Sequence, residues 1–321
     1  MFGMILKFQA FMERLKKRKA LWFSTLITLS VLGIIGTLYY LNSMTNRATK
    51  NLYEATNSSY FHELDMKIAD TMLNLEIVGD MLLANPDFVA AINAQGDPNA
   101  IAAKLNAMSG SLKKIDQNGI VLELYSKEAV KISSSSRTPV LNAQPYDSPG
   151  LQKVLANNQP LSGIEYQDGQ VFLHVLYPLQ NGVLEVKKSL DFLFDVYKSS
   201  GKIFQVLMER DLMDMKKLQE FKYQKIGNFE ISVQSHVDAD FLERLSGIDF
   251  EQLIAAKYVI KDDYFILAKP ILNADNKRVG LFIIGENTQK ENSLPKMTKK
   301  ISTGLTTAAL GLVVALLVLM I

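Results

Sequence analysis

The chain has 321 residues, 48% of them hydrophobic, and a formal net charge of +2, a length that suits two or three compact units. The near balance of charge gives no reason to invoke nucleic acid or an acidic substrate. Cysteine is absent, which removes thiol catalysis, disulfide frameworks and cysteine-based metal sites and fits an exported domain.

Residues 20–41 are uncharged. A helix needs about 20 apolar residues to cross a hydrocarbon core about 30 Å thick, so this run is expected to span a membrane. Trp22 near one end and Tyr39 and Tyr40 at the other suit the interface. A second uncharged run, 301–321, is the other expected span. Its first half carries threonines and glycines and its second half is strongly apolar. Lys7, Arg14, Lys16, Lys17, Arg18 and Lys19 precede the first run, against Glu13 alone. The positive-inside rule then keeps residues 1–19 in the cytoplasm and puts 42–300 in the periplasm of an inner-membrane protein. Lys296, Lys299 and Lys300 oppose this orientation, but the denser first cluster is made first. The first run is too long for a signal-peptide core, and no small-x-small site follows it, so it reads as an uncleaved anchor. The second run ends with the chain, which leads to the expectation of a fragment or of a separate output polypeptide.

From 42 to 84 there is no proline, and Gly79 is the only glycine. Phe61, Leu64, Ile68, Met72, Leu75, Val78 and Leu82 recur at spacings of three and four, the seam of a long helix. That seam is expected to serve a dimer partner near the membrane and the domain's own core farther on. Asn85-Pro86 ends the helix, because proline disfavours helical geometry at the residue before it. Short helices are predicted over 87–93 and 98–108. Strands follow over 120–125 and 129–132, then a serine loop over 133–136, a helix over 148–157, strands over 163–166, 171–177 and 183–188, and a helix over 189–197. Asp168-Gly169 and Asn181-Gly182 are hairpin signals.

The pattern then repeats. Strands are predicted over 202–207, 229–234 and 256–260, with helices over 241–245 and 250–253. The run from Tyr264 through Pro270 to Gly285 parallels the run from Val171 through Pro178 to Val186: a strand ending at proline, a polar turn, then an apolar strand. Antiparallel strands with short helices on one side describe an α+β protein, here of two similar units in tandem.

The sequence of elements resembles the bacterial double-Cache (tandem PAS-like) sensor domains of chemoreceptors, sensor histidine kinases and diguanylate cyclases. The stretch from Gly150 to Gln159-Pro160-Leu161-Ser162-Gly163 is similar to the helix-then-P-x-S-G element of the double sensory domain of two-component sensors. The run from Tyr177-Pro178 to Ser189-Leu190-Asp191-Phe192-Leu193 resembles that family's Pro-strand-SLDFL element. The resemblance covers 43–290 in architecture and 150–195 in motif. It implies a helical segment over 42–111, a membrane-distal module over 112–200, a membrane-proximal module over 201–290 and a linker over 291–300. The arginine often found just before the helix of that element is not apparent: the chain reads Tyr146-Asp147-Ser148-Pro149, with Arg137 as the nearest candidate replacement.

No G-x-S-x-G, G-x-x-x-x-G-K-[ST] or H-E-x-x-H occurs, so no catalytic residue is assigned and no enzyme is expected. His62, His174 and His236 match no metal-ligand spacing, so neither metal nor cofactor is expected. The resemblance implies a ligand pocket in the distal module. His174 shares a strand face with Phe172 and Leu176 by the period of two. Tyr177 and Glu185 flank the Pro178 hairpin and point away from His174 if both strands are regular. Arg137, Tyr146 and Asp147 lie in the loop that would cover the sheet, where Arg137 could grip a carboxylate bidentately. The expectation is a homodimeric receptor for an amino acid, organic acid or amine, with a cytoplasmic output of chemotaxis type. Histidine-kinase or cyclase output is the second reading, and a non-sensing accessory subunit that docks a partner is the third.

Overall fold

The computed structural model describes residues 2–93, 98–112, 119–135, 145–167, 170–212, 225–231, 238–289 and part of 300–314. The chain divides into two units, 1–55 with 290–321, and 56–289. The described residues of the first unit are helical: the start of α1 (Phe2–Leu83) and positions between 300 and 314. Among the described residues no helix is long and apolar enough to cross a membrane. The side chains of most of 20–41 and 301–321 lie outside them.

The second unit is α+β. Within it, α1 buries Tyr60, Leu64, Leu75 and Leu82, while Phe61, Ile68, Met72 and Val78 are half-buried. The helix stops where Asn85 Oδ1 accepts the amides of Asp87 and Phe88, at 3.0 and 3.2 Å. That caps α2 (Pro86–Asn93), which has proline in its first turn, where the missing N–H is harmless. Helix α3 (Pro98–Leu112) follows.

The first sheet contains β1 (Val121–Ser126), β2 (Lys131–Ser134), β3 (Leu161–Gln167), β4 (Gln170–Leu179) and β5 (Gly182–Ser189), in the order β2-β1-β5-β4-β3. Helix α4 (Pro149–Asn157) lies between β2 and β3 in sequence, and α5 (Phe192–Ser199) follows β5. The second sheet contains β6 (Ile203–Glu209), β7 (Lys225–Ile226), β8 (Phe229–Ile231), β9 (Val259–Lys261), β10 (Tyr264–Leu272) and β11 (Arg278–Asn287), in the order β7-β8-β6-β11-β10-β9. All pairings are antiparallel. Leaving out β7, the two orders match strand for strand. Helices α6 (Ala239–Leu245) and α7 (Phe250–Ala256) stand where α4 stands in the first. The two proline-bearing hairpins compared in sequence are β4–β5 and β10–β11, at equivalent places. β3 pairs with β4 only as far as Leu176, and β9 with β10 only as far as Ile266. Pro178 and Pro270 therefore stand beyond the outer strand, where a missing N–H breaks no pairing on that side.

Three expectations shift. Ser133 and Ser134 belong to β2 and are buried, because Ser134 Oγ donates to Glu123 Oε1 at 3.0 Å. The predicted helix over 189–197 begins only at Phe192, since Ser189 still pairs with Phe172. Residue 256 closes α7 rather than opening β9. Asp168 and Gly169, and the predicted strand end over 232–234, lie outside the described residues; β3 and β4 pair up to Gln167 opposite Gln170.

Candidate ligand-binding face of the first sheet

Directly paired residues of an antiparallel sheet share a face. Glu123 is opposite Glu185, His174 opposite Lys187, and Leu176 opposite Glu185. The period of two adds Tyr125 on β1 and Glu165 and Gln167 on β3. One half of this face is apolar: Leu151 and Val154 of α4 pack on Tyr125, Leu176 and Val183. Ser148 caps that helix, its Oγ accepting Leu151 N at 3.0 Å.

The other half is ionic and buried. Lys187 Nζ lies 2.6 Å from Glu123 Oε2 and 3.3 Å from Glu185 Oε2, and donates to Gln167 Oε1. Lys131 Nζ reaches Glu123 Oε2 at 2.9 Å. The Tyr125 hydroxyl donates to Glu123 Oε2 at 2.7 Å and lies 3.2 Å from Glu185 Oε2. His174 Nδ1 is 2.8 Å from Glu185 Oε1 and 3.3 Å from Glu165 Oε2. Burial pushes the Glu185 carboxyl up, but Lys187 and His174 outweigh it and hold the group below the ordinary carboxylate range. Burial works the other way on Lys187, and Glu185 and Glu123 outweigh it, raising the ammonium. Glu165 is raised: its burial exceeds the opposing pull of His174 and of a hydrogen bond from Ser148.

A cavity of about 250 Å³ opens onto this cluster. Asp147, Gly150, Glu165, Tyr166 and His174 line it from the first sheet's side, and Asn273, Ala274 and Val279 from the β10–β11 turn. Lys153 of α4 holds that turn, donating to Ala274 O at 2.6 Å and pairing with Asp275 Oδ1 at 2.7 Å. Its lining carries the carboxylates of Asp147 and Glu165, the imidazole of His174 and the phenol of Tyr166.

Of the residues expected at the site, Tyr146, Asp147, His174 and Glu185 come together. Tyr146 stacks on Tyr125, with centroids 6.0 Å apart, and donates to Tyr166 O at 3.3 Å. Asp147 is exposed at the cavity rim. His174 is 1% exposed and forms part of the cavity wall. Glu185 shares the face of His174 rather than opposing it, because it pairs directly with Leu176. Tyr177 is on the other face, donating to Glu76 O of α1 at 2.8 Å. Arg137 lies outside the described residues.

Glu123, Glu165, Gln167 and Lys187 were not singled out from sequence. Their signal is present: Glu165 and Gln167 alternate along β3, and Glu185 and Lys187 along β5. Spacing between histidines carries no signal for groups brought together from three strands: one ligand atom each of Glu165, His174 and Glu185 lies within 4.8 Å of the others.

No family model and no curated protein matches the chain. Several solved structures are similar to it. The extracellular ligand binding receptor from Desulfohalobium retbaense is 12% identical with a TM-score of 0.33, over 70% of this chain and 40% of that one. The ligand-binding domain of the Pseudomonas aeruginosa amino acid chemoreceptor PctB, in complex with L-Arg, is 11% identical with a TM-score of 0.37, over 79% and 98%. The ligand-binding domain of the Campylobacter jejuni chemoreceptor Tlp3, in complex with L-norvaline, is 12% identical with a TM-score of 0.33, over 79% and 95%. The chain thus spans 40% of the length of the first of these.

Proposed function

We propose that the chain is the sensing and transmembrane region of a bacterial receptor of double-Cache type. The observation that carries this reading is the repeated strand order of the two sheets behind one long helix, with a cavity on the face of the first sheet. The motifs over 150–163 and 177–193 support it from the sequence side. In this reading the first sheet belongs to the membrane-distal module and the second to the proximal one. Residues 20–41 and 301–321 anchor the chain in the inner membrane, with 42–300 in the periplasm, and the output is of chemotaxis type.

The ligand is a small molecule taken up in the cavity beside Asp147, Tyr166 and His174. Helix α1 is the element that would carry the response, because it is tied to both sheets. Tyr177 joins it to the first sheet at Glu76. Near the second sheet, Tyr60 donates to Glu286 Oε2 at 2.7 Å, Lys202 pairs with Glu63 Oε2 at 2.8 Å, and Lys269 pairs with Asp65. A ligand that favours one arrangement of the first sheet then biases a helix that continues toward the first span. Met66, Leu73, Ile77 and Met81 form an exposed apolar stripe on α1, which suits a second copy of the chain.

A thermal-shift screen of the full chain against amino acids, organic acids and amines tests this. A ligand that raises the melting temperature, and does so less in Asp147→Asn, supports sensing. No shift across the library together with a monomeric chain overturns it.

A further inference from the structure

We infer that Glu165, His174 and Glu185 form a binding site for one divalent transition-metal cation of the zinc class, open to the cavity beside α4. The inference stands on side-chain geometry and does not depend on the receptor reading.

The three groups come from neighbouring strands β3, β4 and β5, so the backbone ladder fixes their spacing. Two carboxylates converge on a single nitrogen, His174 Nδ1, at 2.8 and 3.3 Å. An imidazole nitrogen carries at most one proton, which can serve one carboxylate well and leaves the other facing a like charge. A cation touching all three groups removes that conflict. Zinc takes nitrogen and oxygen ligands at about 2.0–2.2 Å, which puts neighbouring ligand atoms of a tetrahedral site about 3.3–3.6 Å apart. Of the two separations from His174 Nδ1, 3.3 Å already meets that spacing, and 2.8 Å must open by about half an ångström.

The nearby lysines act on the far side of the cluster and leave the three ligand atoms free of an ammonium. Lys187 lies against the far oxygen of Glu185, 3.3 Å from Oε2, and is committed to Glu123 and Gln167. Lys131 also goes to Glu123. These contacts, with the Tyr125 hydroxyl at 3.2 Å, hold Glu185 Oε2 and leave Oε1 aimed at His174. On the other side Ser148 bonds Glu165 while capping α4. Outer partners of this kind fix the orientation of metal ligands.

The cavity supplies what a closed hydrogen-bonded cluster would not need: a route in, and room. At about 250 Å³ it holds several waters of about 30 Å³ each, enough to complete a coordination shell. Asp147 at its rim adds a charge that draws cations. One imidazole with two carboxylates suits zinc, cobalt, nickel or manganese, whereas calcium asks for six to eight oxygens.

The test uses the full chain, stripped with a chelator and dialysed, then titrated with Zn²⁺ by calorimetry and with Co²⁺ by visible absorption. One equivalent binds per chain, Co²⁺ develops ligand-field bands, and Zn²⁺ raises the melting temperature. Glu165→Gln keeps the shape of a half-buried side chain. It is expected to weaken Zn²⁺ binding at least about tenfold and to remove the Co²⁺ bands with an unchanged circular dichroism spectrum. Asp195→Asn, an exposed position on α5 outside the cavity, binds as the parent does. No uptake by the folded parent chain overturns the site, and so does uptake of parental strength by folded Glu165→Gln.

Discussion

The ring of Tyr177 lies directly against Gly79 of α1, where a Cβ would overlap it, and its hydroxyl donates to the carbonyl of Glu76 at 2.8 Å. Glycine is what lets the first sheet sit this close to the helix. Alanine at 79 would gain about 1 kcal/mol in helix propensity, yet overpacking of this kind costs about 1–3 kcal/mol. Gly79→Ala is therefore expected to lower the urea midpoint. In a Tyr177→Ala background the same substitution should be neutral or stabilising. Equal losses in both backgrounds would show that the contact is not what constrains residue 79.

Lys187 is the shared counter-charge of Glu123 and Glu185. Removing one partner of a buried ion pair typically costs about 3–5 kcal/mol, because the charge left behind is uncompensated. Lys187→Met should destabilise on that scale, and Lys187→Met/Glu123→Gln should recover part of the loss. The acid limb follows the same logic. Burial raises the Glu185 carboxyl, but Lys187 and His174 hold it below the ordinary range. Its contribution is thus present above the unfolded value of about 4.3 and fades as the pH falls from there toward the folded value. Melting curves at descending pH should show a shallower acid loss in Lys187→Met than in the parent.

Lys153 and Asp275 are both exposed to solvent, so the ion pair itself contributes little to stability. Its role is positional, since the same ammonium also binds Ala274 O beside the cavity. Lys153→Ala should barely change the melting temperature while speeding hydrogen exchange over residues 273–277. Unchanged exchange there would mean that the turn holds itself, through the bonds of Asn273 Oδ1 to the amides of Asp275 and Lys277 at 2.9 and 3.0 Å.

The outer stripe of α1 makes a separate prediction. Leu73 and Ile77 are 56% and 48% exposed, so Leu73→Asp should not disturb the fold. It should shift sedimenting dimer to monomer if two copies meet along this stripe. A parent chain that sediments as a monomer at every concentration removes the stripe from the interface.

Much of the architecture is legible in the residues. The end of α1 follows from Asn85-Pro86, and the β4–β5 hairpin from its Asn181-Gly182 turn. The correspondence of the Pro178 and Pro270 hairpins points to a repeat that the two strand orders display. The site was legible in part. Period-two alternation puts His174 with Phe172 and Leu176, and the covering loop contributes Tyr146 and Asp147. The relative phase of two strands is another matter. Glu185 faces His174, and Tyr177 faces α1, only because Leu176 pairs with Glu185, and a shift of one residue would exchange the faces.

What the sequence by itself determined is the local content: where helices and strands begin and stop, which runs are apolar enough to be proposed as spans, and that no cysteine chemistry is available. Local preference and periodicity are properties of contiguous residues, so they can be read along the chain. Only the tertiary structure decided that Glu123, Glu165, His174, Glu185 and Lys187, drawn from four strands, form one buried cluster beside a cavity. That outcome depends on strand order and register, which are set by packing between distant segments. The sequence displays such charges one at a time, each indistinguishable from a solvated one until its neighbours across the sheet are known.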